Sequence, residues 1–382
     1  MNKNKFNQVN WMDGMKMNKN HFIATDRATT EAVRDVYETI ASPFNHGLLP
    51  SELNPFNIDI SVDNQQVIKA RLHTCEAITS GGYRIHIASG LDKNFSNPEI
   101  SQAANQGSGI FWISLIVNPF EPTPIGTPDP LEMPPRVPFL MPSYELKITG
   151  DSSLRQVLAN PNELILGKVA LNGSQSRVEE EYIPPCKTVS AHPDLIDFHG
   201  ELDSFFAKLE LKCSQIIQKI HRKNQQNELS DLVHYLCDRM LLYVGSSLTT
   251  LRWTTLHESP AKMLEFPVGL ARVMKNTIDL RIGSGKEEMM NYLAEWCDVN
   301  QGELETLLTG IASIQYQHHD VNQHLNKVVQ FVKILGRLFE ALSNLEFIGK
   351  KKDSNIFVKE EQLNPSTEDI NKPKPKRRFF AD

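Results

Sequence analysis

Ile282-Gly283-Ser284-Gly285-Lys286 has the composition of a phosphate-binding loop. In such a loop backbone N–H groups cradle phosphate oxygens and the lysine neutralises charge. The spacing fails. Leu280 stands where the first glycine belongs, and Glu287 replaces the metal-binding hydroxyl. The segment reads as a break between helices. His318-His319-Asp320 with His324 is the other candidate. Asp320 and His324 are four apart and share a helix face. Zinc takes three or four protein ligands, and no third has a fitting spacing. A polar capping cluster between two helices is the expectation. The chain has no Gly-x-Ser-x-Gly, no His-Glu-x-x-His and no Gly-x-Gly-x-x-Gly. Cysteines 75, 186, 213, 237 and 297 are too far apart for a zinc knuckle or a redox pair, and their number is odd. They read as small core hydrophobes in a reducing compartment. No cofactor, metal or small-molecule substrate is expected. The chemistry points to an assembly or binding protein rather than an enzyme, with an unrecognised hydrolase as the distant alternative.

Elements must therefore carry the function. The 382 residues suit two domains and a tail. Forty basic against 46 acidic residues give −6, which argues against a nucleic-acid partner. No apolar run reaches the ~18 residues of a membrane span, and no secretory leader is expected at the N-terminus. Residues 350–382 carry nine Lys/Arg and six Asp/Glu, a net +3, so the remainder is −9.

Strand-like runs occupy 57–62, 66–73, 83–88, 110–117, 144–149 and 164–171, with turn signals at Thr79-Ser80-Gly81-Gly82 and Asn172-Gly173. Nine of the 22 prolines fall between Pro119 and Pro142. Proline lacks a ladder donor, so this arm is expected to be extended and outside a central sheet. Long arms without secondary structure are uncommon unless functional. Phe120, Ile125, Leu131 and Phe139 are its candidate docking residues, for a neighbouring subunit or another partner.

After about residue 190 the apolar period becomes helical, over 202–220, 229–251, 260 onward with a kink at Pro267, 286–296 and 303–318. Val321, Leu325, Val328, Val332, Leu335, Phe339 and Leu342 step by 4,3,4,3,4,3. That heptad seam fits either a core stripe within one bundle or a contact across a symmetry axis. Val321, Leu325, Val328, Val332, Leu335 and Phe339 are the candidate trimer contacts. The fold class is α+β: a β-sandwich over 45–190, a helical bundle over 191–349, an N-terminal segment (1–44) packing with that bundle, and a basic tail over 350–382.

Val9-Asn10-Trp11-Met12-Asp13-Gly14-Met15, then His21-Phe22, then Asp26-Arg27 resembles the opening of the TssK family, the trimeric baseplate subunits of bacterial type VI secretion systems. That family opens with hydrophobic-x-Trp-x-x-Gly-Met-x-Leu, followed by His-Phe and an acidic-Arg pair. Here Met17 replaces the Leu, and Lys19-Asn20 the customary Pro-Gln. His46-Gly47-Leu48-Leu49, Gly81-Gly82, Ser259-Pro260 with Leu264 and Leu270-Ala271, and Tyr316-x-His318-x-Asp320 follow in family order, so the resemblance spans about 5–345.

It implies a phage-receptor-binding-like shell, a trimerising neck and a C-terminal head that meets the membrane complex. Only 37 residues follow Leu345, so a headless form is expected, as in the divergent subtype typical of Bacteroidota. The implied role is a cytoplasmic structural component, a homotrimer linking the TssF/TssG wedge to a membrane-complex subunit at the inner face of the inner membrane. A phage-like receptor-binding or tail adaptor is the alternative. Trp11, Met15 and Phe22 fit either a core anchor or, with Gly14 and His21, a contact surface for TssF and TssG. Arg27 is expected to pair with a carboxylate. Lys376, Arg377, Arg378, Phe379 and Phe380 are the tail's candidate contacts with the membrane side.

Overall fold

The computed structural model describes residues 6–88, 96–103, 108–172, 175–225, 227–283 and 285–349. It is an α+β fold of two compact units. The first runs to His192 and takes in His318–Asp320, and the second begins at Pro193.

The first unit is antiparallel β with one long helix. Its first sheet is built on β3 (Val67–Ile78), which pairs with β1 (Gly47–Leu48), β2 (Asn57–Val62), β4 (Arg84–Ile87) and β5 (Glu99–Ala103). Asp63 makes the β2–β3 turn. Its Oδ1 accepts from Gln65 N at 2.9 Å and Val67 N at 3.0 Å, an Asx turn that fixes register. The second sheet has the order β7-β6-β8-β9, with β6 Ser108–Ile125, β7 Phe139–Gly150, β8 Glu163–Asn172 and β9 Gln175–Val178. Ile68, Leu72, Ile85, Ile87, Ile113, Leu115 and Leu164 are fully buried, as alternation predicts for an inward face. Gly167 of β8 lies against Ile60 of β2: a Cβ there would sit 2.4 Å from the Ile60 Cδ1.

The proline arm differs from its expectation. β6 and β7 run on past the sheet as a two-stranded ribbon, with Thr123 opposite Met141 and Ile125 opposite Phe139. The register shifts between Asn118 and Thr123, where Pro119 and Pro122 supply no N–H. Prolines are tolerated here because the ribbon lies at a sheet edge.

α1 (Lys19–Ile40) gives a correction. The 1–44 segment was expected to pack with the helical bundle, but α1 belongs to the β unit. Arg34 Nε donates to the Gly81 carbonyl at 3.2 Å, and its guanidinium lies 4.4 Å from the Tyr83 ring centre. Gly82, at φ +82°, brings its backbone so close that a Cβ would lie 2.6 Å from the Tyr37 ring. The Gly81-Gly82 turn is thus the seat of α1. A six-residue helix, α2 (Leu154–Ala159), covers part of the second sheet beside Trp112 and Ile165.

The second unit is all helix: α3 Pro193–Arg222, α4 Glu228–Trp253, α5 Pro260–Asp279, α6 Lys286–Trp296, α7 Gln301–Ala312 and α8 Val321–Asn344. Asn227 and Asn300 make capping boxes with Ser230 and Glu303. α5 runs through Pro267. α7 ends at Ala312, well before the expected His318. Lys219 Nζ donates to the carbonyls of Ser343, at 2.6 Å, and Leu345, placing a cation on the C-terminal end of α8.

Phe198, Phe206, Phe331 and Phe339 anchor this core. The α8 seam is spent within it. Val321, Leu325, Val328, Val332, Leu335 and Phe339 are all buried inside one chain. They cannot double as trimer contacts without opening the bundle, so the symmetry-axis expectation is corrected. All five cysteines are buried free thiols, as expected of core hydrophobes.

Candidate interaction surfaces

Asn18 caps α1. Its side chain accepts from Asn20 N at 2.9 Å, and its own N–H donates to the His21 Nδ1 at 3.3 Å. His21 is therefore part of a capping box. Trp11 folds back over this end, with its ring 6.0 Å from His21 and 6.4 Å from Phe22. Both Trp11 and Phe22 remain about half exposed. Met15 closes a turn on Met12, and Gly14, at φ +77°, has open space around it. Its role is conformational. Among the described residues no carboxylate is paired with Arg27, where one was expected. Its guanidinium lies over Phe6, 5.4 Å from the ring centre. Phe6 in turn contacts Phe120 at 5.5 Å. The N-terminal residues and the base of the proline arm thus meet at one end of the β unit, which spacing alone could not show.

Farther along the arm, Leu131 and Met133 are 91% and 97% exposed, and Phe139 and Leu140 lie outside the core. Ile125 is partly covered. Polar contacts shape the tip: Leu131 N donates to Asp129 Oδ1 at 2.9 Å, and Arg136 holds Glu132 through two bonds of 2.9 and 3.0 Å. The arm thus ends in an exposed apolar tip carried on a paired ribbon.

The His318–Asp320 segment is a polar anchor within the β unit. Lys168 Nζ meets Asp320 Oδ2 at 2.7 Å and lies 5.0 Å from the Trp112 ring centre. Trp112 Nε1 donates to Asp151 Oδ1 at 3.0 Å, and Tyr182 OH donates to the His319 carbonyl at 2.5 Å. His318 Nε2 bonds the His46 carbonyl at 2.9 Å, with the two rings 4.7 Å apart edge to face. Burial lowers the His46 pKa to about 4. Burial, then the neighbouring His46, lowers that of His318 to about 3. Both rings are neutral at pH 7.

His324 has a separate task, accepting from Gln317 N at 2.9 Å. Asp320 and His324 are not brought to one ligand site, and no metal-binding cluster occurs among the described residues. Lys286 of the rejected phosphate loop is held by Asp279 at 2.8 Å and Glu305 at 3.1 Å. Lys376, Arg377, Arg378, Phe379 and Phe380 lie outside the described residues.

No family model and no curated protein matches the chain. Solved structures do. A chain of the baseplate complex from the type VI secretion system aligns over 88% of this chain and 99% of its own length, with TM-score 0.50 and 15% identity. The chain has a TssK-like fold. A crystal structure of TssK aligns over 89% of this chain and 70% of its own (TM-score 0.48, 15% identity). A chain of a TssK–TssF–TssG baseplate subcomplex aligns over 88% and 99% (TM-score 0.44, 14% identity). The TssK-like fold accounts for a β unit followed by a helical one, and at this identity it speaks for architecture alone. Among the described residues no helix is long and apolar enough to cross a membrane.

Proposed function

We propose that the chain is a non-enzymatic structural component of a type VI, contractile-injection baseplate. The observation that carries this reading is the alignment of both units, in order, over 88% of the chain with a chain of such a baseplate. The apolar surfaces support it. The Trp11–Phe22 end and the proline arm are ordered, exposed and outside either core, as docking surfaces must be. Their partners would be subunits like the TssF and TssG of the solved subcomplex. The working form would be a homotrimer, so that one assembly presents three equivalent β units to its partners. The basic tail, with Lys376, Arg377, Arg378, Phe379 and Phe380, would serve the membrane-side contact from a cytoplasmic baseplate.

Co-expression of the tagged chain with TssF- and TssG-like subunits, followed by native mass measurement, tests the reading. A complex containing three copies of this chain per docking site is expected. A chain that stays alone beside soluble partners would sink it. Deleting 371–382 should preserve that complex and abolish secretion. Normal secretion by the deletion strain would remove the tail from the account.

A further inference from the structure

Tyr235 on α4 carries two guanidinium groups. Arg239, one turn on along the same helix, and Arg281, just past α5, each lie 4.9 Å from its ring centre. A guanidinium that stacks its face on an aromatic ring keeps its N–H edge for a planar anion. Among the described residues neither edge meets a carboxylate or a carbonyl. Nearby carboxylates are committed elsewhere: Asp279 to Lys275 and Lys286, and Glu305 to Lys286. Asp231 and Asp238 of α4 are exposed and pair with neither arginine. Leu280 and Ile282, on either side of Arg281, are 73% and 71% exposed. Two uncompensated cations beside exposed apolar side chains fit a peptide that joins acidic to apolar residues.

The chain itself delivers such a peptide to this face. Ile348 is buried, and its N–H donates to Gln225 Oε1 at 2.9 Å. Its carbonyl accepts from Asn227 Nδ2 at 3.3 Å, and Gly349 N donates to the Tyr292 hydroxyl at 2.9 Å. Asn227 is the N-cap of α4, so Tyr235 and Arg239 lie about 12 and 18 Å farther along that helix. After Gly349 the sequence reads Lys350-Lys351-Lys352, then Ile356-Phe357-Val358, then Glu360-Glu361. The ten residues between Gly349 and Glu360 reach about 33 Å, enough to bring both glutamates to the arginines. The order of charge also matches. α4 opens with Glu228 and Asp231 and comes to Arg239 later, while the tail opens with lysines and comes to its glutamates later. Glu368-Asp369 sits eight residues farther out, which lowers its effective concentration at the same place. At the tip of the proline arm the acids are already used: Arg136 holds Glu132, and Asp129 accepts from Leu131 N.

We propose that Arg239 and Arg281 form a clamp for an acidic, apolar peptide, and that its occupant in the free chain is the chain's own 356–361 segment. Glu360 and Glu361 take the two guanidinium edges, and Ile356, Phe357 and Val358 cover Leu280 and Ile282. The contact lies within the helical unit and is independent of the assembly proposed above. It holds the middle of the tail on α4 and leaves the basic 372–378 stretch to other partners.

Cross-linking of the full chain tests the contact. Asn276, one turn before Leu280, is exposed, and Gln362 follows the glutamates; neither is part of the clamp. In Asn276→Cys/Gln362→Cys a short bis-maleimide should join the two positions within one chain, read by intact and peptide mass; the five native thiols are buried. Adding Arg239→Glu/Arg281→Glu should slow the link about tenfold, and so should Glu360→Arg/Glu361→Arg, which leaves the helices untouched. Combining both reversals should restore the rate. Linking that is equally fast in all four backgrounds would overturn the clamp. So would a rate that responds to the glutamates but not to the arginines, because the segment would then dock elsewhere. Links found only between chains, or only after a partner protein is added, would overturn the chain's own segment as the occupant.

Discussion

Lys168 and Asp320 are 152 positions apart in sequence and 2.7 Å apart in space. Both side chains are mostly buried, at 20% and 12% exposure. A pair so removed from water offsets its desolvation only with further partners. Lys168 has the Trp112 ring, and beside Asp320 the His319 carbonyl accepts from Tyr182. The site thus closes a loop of sequence onto β8 with specific polar contacts.

Breaking this pair one partner at a time leaves an uncompensated charge. Lys168→Met or Asp320→Ala should each cost on the order of 3 kcal/mol. Lys168→Met/Asp320→Leu together should recover much of that loss, because both charges are gone. Urea midpoints of the four proteins complete the cycle. Additive losses would mean that the pair is not coupled.

The two neighbouring histidines predict a pH dependence. Their folded pKa values, about 4 for His46 and about 3 for His318, lie below the ordinary 6.5. The unfolded chain therefore binds more protons than the folded one between these values. Stability is complete above pH 6.5 and falls as pH drops toward 4 and then 3. By pH 5 each ring should cost about 2 kcal/mol. His318→Gln keeps a donor for the His46 carbonyl and cannot titrate. It should flatten the slope of the urea midpoint between pH 7 and 5. A slope unchanged by the variant would place the titration elsewhere.

Periodicity made much of this architecture legible. Six strands and the order of the last helices follow from spacing, and α6 runs from Lys286 to Trp296 as expected. α1 was missed because Asp26 and Thr29 interrupt its apolar positions and its docked face uses Arg34 and Tyr37, so the helical period is weak on both sides. β1, with two residues, and β9, which is solvent-facing, carry too little signal for the alternation rule. The arm misled because proline content reports missing donors, whereas pairing needs only the donors that face the partner. Lys168, Trp112 and Tyr182 were not nominated at all. Each is an ordinary strand or loop residue until the His318–Asp320 segment reaches it.

The heptad on α8 shows the same limit in another form. Spacing identifies a seam but not what covers it. Val332 is 4% exposed within the single chain, so Val332→Asp should destroy cooperative unfolding rather than release folded monomers. Val332→Ala should lower stability by about 2 kcal/mol and leave the sedimenting species unchanged. A folded but smaller Val332→Asp protein would return the seam to a symmetry axis.

The proline arm gives the last test. Its ladder ends at Ile125–Phe139, and beyond it the backbone has few bonds, among them Asp129 N to the Arg136 carbonyl at 3.3 Å. Leu131 and Met133 touch little of the core, so replacing both with Ser should change stability by less than about 0.5 kcal/mol. Arg136 is the single Lys or Arg between 119 and 142. Its ion pair with Glu132 is exposed and contributes little. Limited trypsin should therefore cut the free chain once within the arm, after Arg136, and give two fragments. In a complex with TssF- and TssG-like subunits that cut should slow markedly, because docking removes the tip from solvent. Leu131→Ser/Met133→Ser should weaken the complex and restore cleavage. Equal cleavage with and without the partners, together with full binding by the double variant, would make the tip a surface loop and move the contact to the Trp11–Phe22 end of the unit.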